Sequence, residues 1–231
     1  MPLIECEQGS DKWRQARVGL LTASSVKDIL TPKGDRADTT TARKRRYKLV
    51  YERLTGISTD PDLSGVPRVQ RGKQQEPVAR TEFRRRLKLQ VKETGLYVDN
   101  LEAPSYGASP DGLIVGVNES LEIKVPEAWN HVGYLLTGKF EEHTPQIQMQ
   151  MMVGGFSAVH FFSYCPGLPE YCRTFYRLVR PDRAYQDRML KAIIEFMQDV
   201  EADTAFIRKM DNYRDIAEAM LAETEAEGTN K

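Results

Sequence analysis

Ser109-Pro110-Asp111-Gly112-Leu113, with Glu122-Ile123-Lys124 a short span further on, is the stretch on which the fold turns. Asp111 and Glu122 carry hard carboxylate oxygens of the kind Mg²⁺ prefers, and Lys124 can steer or deprotonate a water and offset phosphate charge. That trio is the minimum set for hydrolysing a phosphodiester with a divalent metal. Residues 107–124 have the pattern of a β-hairpin: Leu113 to Val117 is apolar and β-branched, 117–120 has turn composition, and Leu121 to Val125 alternates before Pro126 ends the strand. Residues two apart on a strand share a face, so Glu122 and Lys124 project together while Ile123 turns into a core. Asp111, at the start of the partner strand, then comes beside Glu122. Taken singly, Pro-Asp-Gly is ordinary turn chemistry and Glu-x-Lys an ordinary strand-edge pair, so the reading depends on what surrounds them.

The chain has 231 residues, enough for a sizeable core and in keeping with one globular unit spanning 1–231, with a core of about 11–180 and carboxy-terminal helices over about 182–226. No run of about 18 apolar residues suggests a membrane span, and the amino terminus lacks a basic-then-apolar leader, so a cytosolic protein is expected. Cys6, Cys165 and Cys172 lack metal-ligand spacing; Cys165 and Cys172 could pair, but reduced thiols are the better expectation. The net charge is zero, yet residues 1–92 hold 21 Lys/Arg against 11 Asp/Glu and residues 93–231 hold 12 against 22. Such asymmetry fits one face built for a polyanion and another that is acidic or holds cations, beside the plainer reading that helices segregate charge.

Outward from the hairpin, Asp11 to Leu30 reads as a helix interrupted near Gly19. A second helix, capped at Thr41 or a neighbour, runs to Gly56, and Ile57 to Pro67 has loop composition. A third spans Val69 to Leu89 despite Gly72 and Pro77, with Val78, Phe83 and Leu87 at helical spacing. Glu127–Leu136 and Thr144–Met152 read as helices, Ala158–Tyr164 and Arg173–Val179 as strands. Asp182 caps a long helix whose stripe is Tyr185, Met189, Ile193, Phe196, Met197 and Val200. Residues 212–221 look amphipathic and 223–231 frayed.

Five blocks stand in order around the hairpin: Trp13-Arg14-x-x-Arg17-x-Gly19-x-x-Thr22-Ala23-Ser24, Arg71-Gly72-x-x-x-Glu76, Ser109-Pro110-Asp111-Gly112, Glu122-Ile123-Lys124 and Gln146-x-Gln148. From about Asp11 to Met152 the chain resembles the phage lambda exonuclease family, the YqaJ-like viral recombinases of the PD-(D/E)xK nuclease superfamily. The resemblance implies an α/β fold: a restriction-endonuclease-like central mixed β-sheet flanked by α-helices in a single domain. It implies a Mg²⁺-dependent, processive 5′-to-3′ exonuclease on linear double-stranded DNA, releasing 5′-mononucleotides and leaving 3′ overhangs for single-strand-annealing recombination. It further implies a homotrimeric ring around DNA, a single-strand annealing protein as partner, and a phage or prophage origin in a bacterial host cytoplasm. Another PD-(D/E)xK nuclease, either an endonuclease or a single-strand exonuclease, and a DNA-end-binding recombination scaffold without catalysis stay open.

The same resemblance assigns roles. Asp111, Glu122 and the Ile123 backbone carbonyl are the implied metal ligands and Lys124 the residue that positions the attacking water. Glu76 stands by a second Mg²⁺, directly or through water, with Mn²⁺ able to substitute for both ions. Glu76 is also placed for an i,i+4 ion pair with Arg80. Arg17 and Ser24 are implied holders of the 5′-terminal phosphate, with Thr22 and Ser25 as alternative donors and Ser109 a further phosphate contact. Gln146 is the implied active-site glutamine and shares a helix face with Gln150, while Gln148 lies opposite. His143 departs from the tyrosine frequent in relatives. Arg43, Lys44, Arg45, Arg46, Arg84 and Arg85 are candidates for DNA backbone contacts, each run equally readable as a solvated face.

Overall fold

The computed structural model describes residues 2–59 and 67–210. The segments expected at 212–221 and 223–231 lie outside the described residues, as does most of the loop expected before Pro67. The chain begins with β1 (Leu3–Ile4), α1 (Asp11–Ala16), β2 (Leu21–Thr22) and a 3-10 turn at Val26–Ile29, followed by α2 (Thr40–Thr55) and α3 (Pro67–Leu87). Strands β3 (Val91–Lys92), β4 (Leu96–Val98), β5 (Tyr106–Ala108), β6 (Gly112–Ile114) and β7 (Glu119–Lys124) come next. Helices α4 (Ala128–Thr137) and α5 (Thr144–Gly154) lead to β8 (Ala158–Tyr164), β9 (Thr174–Val179) and the long α6 (Arg183–Arg208).

The α/β class with mixed sheets and flanking helices is as expected, but the strands divide into two sheets rather than one. Among the described residues one sheet has the order β1-β4-β5-β2 and the other β3-β6-β7-β8-β9. Each contains one parallel pair, β2 with β5 and β7 with β8, and antiparallel pairs elsewhere. The parallel β7–β8 pair requires a crossover, supplied by α4 and α5. Residues 109–111 carry the chain from β5 in one sheet to β6 in the other.

Alternation on β7 sorts its side chains. Leu121 and Ile123 enter a core with Ala79 and Phe83 of α3 and Phe162 of β8. Phe83 is fully buried, a contribution of about 1.5–3 kcal/mol for a side chain of that kind. Glu122 and Lys124 are left on the face toward α5. On α3 the core-facing residue is Ala79, one position beyond the expected Val78, which is 46% exposed.

Two other expectations change. The helix read over Asp11–Leu30 stops at Ala16, because Gly19 takes the left-handed φ of 73° and Leu20 and Leu21 are buried, Leu21 as the first residue of β2. Leu21 N–H donates to Ser105 and Ala23 N–H to Gly107, both backbone carbonyls of the chain around β5. The hairpin strand read through Val117 ends at Ile114, and Val115 and Val117 are exposed in the turn. The helix caps follow the sequence more closely. Thr39 accepts from Ala42 N–H to start α2, Gly56 ends it, and Asp182 accepts from Tyr185 N–H to start α6. The three cysteines are free thiols.

Candidate active site

Asp111, in the chain just ahead of β6, accepts the backbone N–H of Ile123 through Oδ2 at 2.6 Å, and its own N–H donates to Leu121 O at 3.0 Å. The short β6–β7 pairing therefore sets its carboxylate against β7. Lys124 Nζ donates to Glu122 Oε1 at 2.5 Å and to Gln146 Oε1 at 3.1 Å, while Gln146 Nε2 donates to the same Glu122 oxygen at 2.6 Å. Strand β7 and helix α5 thus close a ring of three side chains. Glu122 is 2% exposed, so this pairing is what makes its burial tolerable.

Glu76, on α3, borders the same cavity and is bound by Arg80 Nη2 at 2.7 Å, the ion pair its spacing suggested. Burial, and then the charges of Glu122 and Glu76, push the Asp111 carboxyl well above its usual range. Burial likewise raises Glu76, with Arg80 opposing and Glu122 adding to the rise. Burial works against the Lys124 charge, but Glu122 and Asp111 overcome it and hold its pKa above the ordinary value. Negative charge is in excess here.

Among the described residues no three His, Cys, Asp or Glu side chains are grouped so as to hold a metal by themselves. The available donors are the carboxylates of Asp111 and Glu122 and the carbonyl of Ile123. Asp111 Oδ1 and Glu122 Oε2 take part in none of the hydrogen bonds among the described residues, which leaves hard oxygens at the place where positive charge is lacking. That donor chemistry fits a divalent ion, with Glu76 to one side.

The cavity measures about 280 Å³ and reaches from these carboxylates to Arg17, Thr22, Ser24 and Ser109. Arg17 follows the end of α1, with its guanidinium over the Trp13 ring at 4.1 Å. Trp13 Nε1–H donates to Ser109 Oγ at 2.9 Å. Thr22 Oγ1 lies 3.1 Å from both Ser24 Oγ and Ser25 Oγ, a compact group of hydroxyls at the end of β2. Gln148, as its opposite face implied, turns away to the start of α6, where it accepts Asp182 N–H at 3.0 Å. Two glutamines without an assigned role also line the cavity. Gln150 shares the Gln146 face and reaches the cavity. Gln8 donates to Pro110 O at 2.6 Å, a contact across the sheets that no local pattern signals.

His143 is a satisfied residue at the start of α5: Nε2 lies 2.9 Å from Tyr134 Oη, and the ring packs on Phe161. The basic runs are divided. Arg45 binds Asp28 and Arg46 binds Asp199 and Asp203, whereas Arg43, beside Asp38, and Lys44 face solvent. Arg84 donates to Val91 O, and Arg85 pairs with Glu82 and Glu170.

Comparison with known proteins gives the family. A model of the YqaJ-like viral recombinase domain matches residues 12–157, a span holding every residue of the cavity named above except Gln8. The chain belongs to the YqaJ-like viral recombinase family. An alkaline exonuclease from Laribacter hongkongensis, LHK-Exo, is 29% identical with a TM-score of 0.77, over 91% of this chain and 100% of that one. The structure of LHK-Exo in complex with dAMP gives 0.78 at the same identity and coverage. A phage-related exonuclease from Haemophilus somnus 129PT shares the fold at 14% identity, with a TM-score of 0.64 over 83% of this chain and 96% of that one. No curated protein matches the sequence. No helix among the described residues of this YqaJ-like chain is long and apolar enough to cross a membrane.

Proposed function

We propose that this YqaJ-like protein is a Mg²⁺-dependent exonuclease that degrades linear double-stranded DNA processively from the 5′ end. The observation that carries the reading is one cavity with two chemically distinct ends: Asp111, Glu122, Lys124 and Gln146 at one, Arg17, Ser24 and Ser109 at the other. The alkaline exonuclease activity named for LHK-Exo, at 29% identity over its whole length, supports a nuclease reading.

Asp111, Glu122 and the Ile123 carbonyl would hold a divalent ion and Glu76 would stand by a second; Mg²⁺, or Mn²⁺ in its place, would supply Lewis-acid charge for the hydrolysis. Arg17, Ser24 and Ser109 bind the 5′-terminal phosphate, which offers more charge and more free oxygens than an internal one. Lys124 and Gln146 orient a water toward the next phosphorus. Water oxygen bonds to phosphorus and gives up a proton to solvent, the P–O3′ bond breaks, and the leaving 3′ oxygen takes a proton from solvent. The released mononucleotide keeps the old terminal phosphate. The shortened strand carries a new one, so each cycle regenerates the group the pocket holds.

The other strand remains as a 3′ overhang, the substrate of a single-strand annealing partner. Retention on DNA over many cycles suits closure of three copies into a ring, and sedimentation should give the mass of a trimer; a monomer at working concentration rejects the ring. The decisive assay is a time course on linear duplex phosphorylated at one 5′ end. Mononucleotides should appear from that end with Mg²⁺, none with EDTA, and closed circles should stay intact. Cutting of circles, or equal attack on 5′-hydroxyl ends, overturns the assignment.

A further inference from the structure

Gly19 belongs to the motif that contains Arg17 and Ser24, yet it does not border the cavity. Both of its backbone polar groups are instead taken by consecutive residues of α2. Its N–H donates to Glu52 Oε2 at 2.8 Å, and its carbonyl accepts from Arg53 Nε at 3.2 Å. Its φ of 73° is left-handed, and a Cβ there would stand 2.8 Å from Arg53 Cγ, so glycine suits the position on two counts. Leu20 N–H donates to Arg17 O at 3.1 Å, which makes Arg17 through Leu20 one tight turn with Gly19 as its clamped residue.

Glu52 is only 6% exposed, and an acidic side chain is rarely that buried unless its oxygens are satisfied. Three donors satisfy them. Oε2 takes Gly19 N–H, while Oε1 takes the backbone N–H of Thr59 at 2.7 Å and its hydroxyl at 2.6 Å. The rest of the core face of α2 is apolar, with Ala42, Leu49 and Val50 buried. Packing alone would be served by a leucine or methionine at 52. What the carboxylate adds is a link between two loops: the turn bearing Arg17, and the segment at Thr59 on the way to α3, which carries Glu76.

We propose that Glu52 is a positioning residue for recognition of the 5′-terminal phosphate, acting through Gly19 on Arg17. The inference rests on the phosphate pocket proposed above. Without Glu52 the Gly19 N–H is a buried donor with no acceptor, and the turn relaxes to find one. Arg17 then loses a fixed root. Its contact with a terminal phosphate depends on holding a guanidinium fork against oxygens in one orientation, and a displacement of about 1 Å at such a group costs up to about 100-fold.

The test compares initial rates on linear duplex carrying either a 5′-phosphate or a 5′-hydroxyl, with kcat and KM separated and thermal melting measured on each variant. Glu52→Gln keeps the shape but sets an amide N–H₂ against one of the loop N–H donors. It should raise KM for phosphorylated ends about tenfold, the scale of one hydrogen bond to a charged group. It should leave kcat near wild type and scarcely change the rate on hydroxyl ends, so the preference for phosphate collapses. Thr59→Val removes only the hydroxyl donor to Oε1 and should shift KM in the same direction by a smaller factor, which keeps the idea testable if Glu52→Gln fails to fold. An unchanged preference in folded Glu52→Gln, or an equal loss on both ends, overturns the role of Glu52; if Glu52→Gln does not fold, an unchanged KM in Thr59→Val does the same. Arg17→Ala separates the two levels. If it abolishes the preference while Glu52→Gln does not, Glu52 alone is rejected; if wild type itself treats both ends alike, the pocket is rejected.

Discussion

Lys124 divides one ammonium between Glu122 and Gln146, so its removal strips a buried carboxylate of its cation and the glutamine of its donor. Lys124→Met retains most of the stem and should lower the rate on linear duplex by about 10²–10⁴-fold, the range for a group acting on a proton or water in the reaction, with DNA binding largely intact. Single-turnover digestion and fluorescence anisotropy separate those two outcomes. His143 makes a different prediction. Burial, and then the Lys124 charge, hold its imidazole down to about 4, against an ordinary 6.5, despite the opposing pull of Glu142. A base with a depressed folded pKa is neutral in the native protein, and the unfolded chain takes up the proton first. Stability is fully present above about 6.5 and falls as the pH drops through the window down to about 4, by on the order of 1–3 kcal/mol after allowance for partial exposure. Urea denaturation at pH 7 and at pH 4.5 measures this slope, and His143→Phe should flatten it.

At the level of the element, α2 uses its basic run in two directions. Arg46 grips Asp203 and Asp199 of α6, and the neighbouring carboxylate of Glu201 takes Arg53. Arg46→Ala should cost about 1–2 kcal/mol of stability in denaturant titration, more than an exposed pair is worth because several charges share the network. Lys44 faces solvent. If the outer side of α2 meets duplex, Lys44→Ala weakens binding and lowers the salt slope by about 1 while leaving stability unchanged, and Arg46→Ala leaves the salt slope alone. The run Arg43-Lys44-Arg45-Arg46 is legible as charge in the sequence, but which members are spent internally depends on carboxylates outside the helix: Asp28 for Arg45, and for Arg46 Asp199 and Asp203, more than a hundred residues away. Helix α6 was readable because Tyr185, Met189, Ile193, Phe196 and Val200 repeat at helical spacing, and all five are buried. Strand β2 was not, since two residues carry no periodicity and its partner β5 is distant in sequence. The chemical end of the cavity was legible because Asp111, Glu122 and Lys124 lie within one hairpin, whereas Gln8 enters through a contact without local pattern.

Among the described residues the strands form two sheets, and residues 109–111 are one of the stretches of chain that link them. Thr22 and Ser24 follow from β2 in one sheet; Glu122 and Lys124 stand on β7 in the other; Ser109-Pro110-Asp111 is the piece between them. Pro110 is buried, and its carbonyl is fastened by Gln8. Slack in this piece should show in the product. If the protein releases mononucleotides as proposed, a glycine inserted between Pro110 and Asp111 is expected to give a mixture with longer fragments, read by mass spectrometry of the released material; a uniform product at the wild-type rate rejects the idea. The covalent bridge between the sheets then acts as a gauge. On the proposed exonuclease function, the reach of these three residues would set the step from one phosphate to the next, and chain length rather than base identity would measure it.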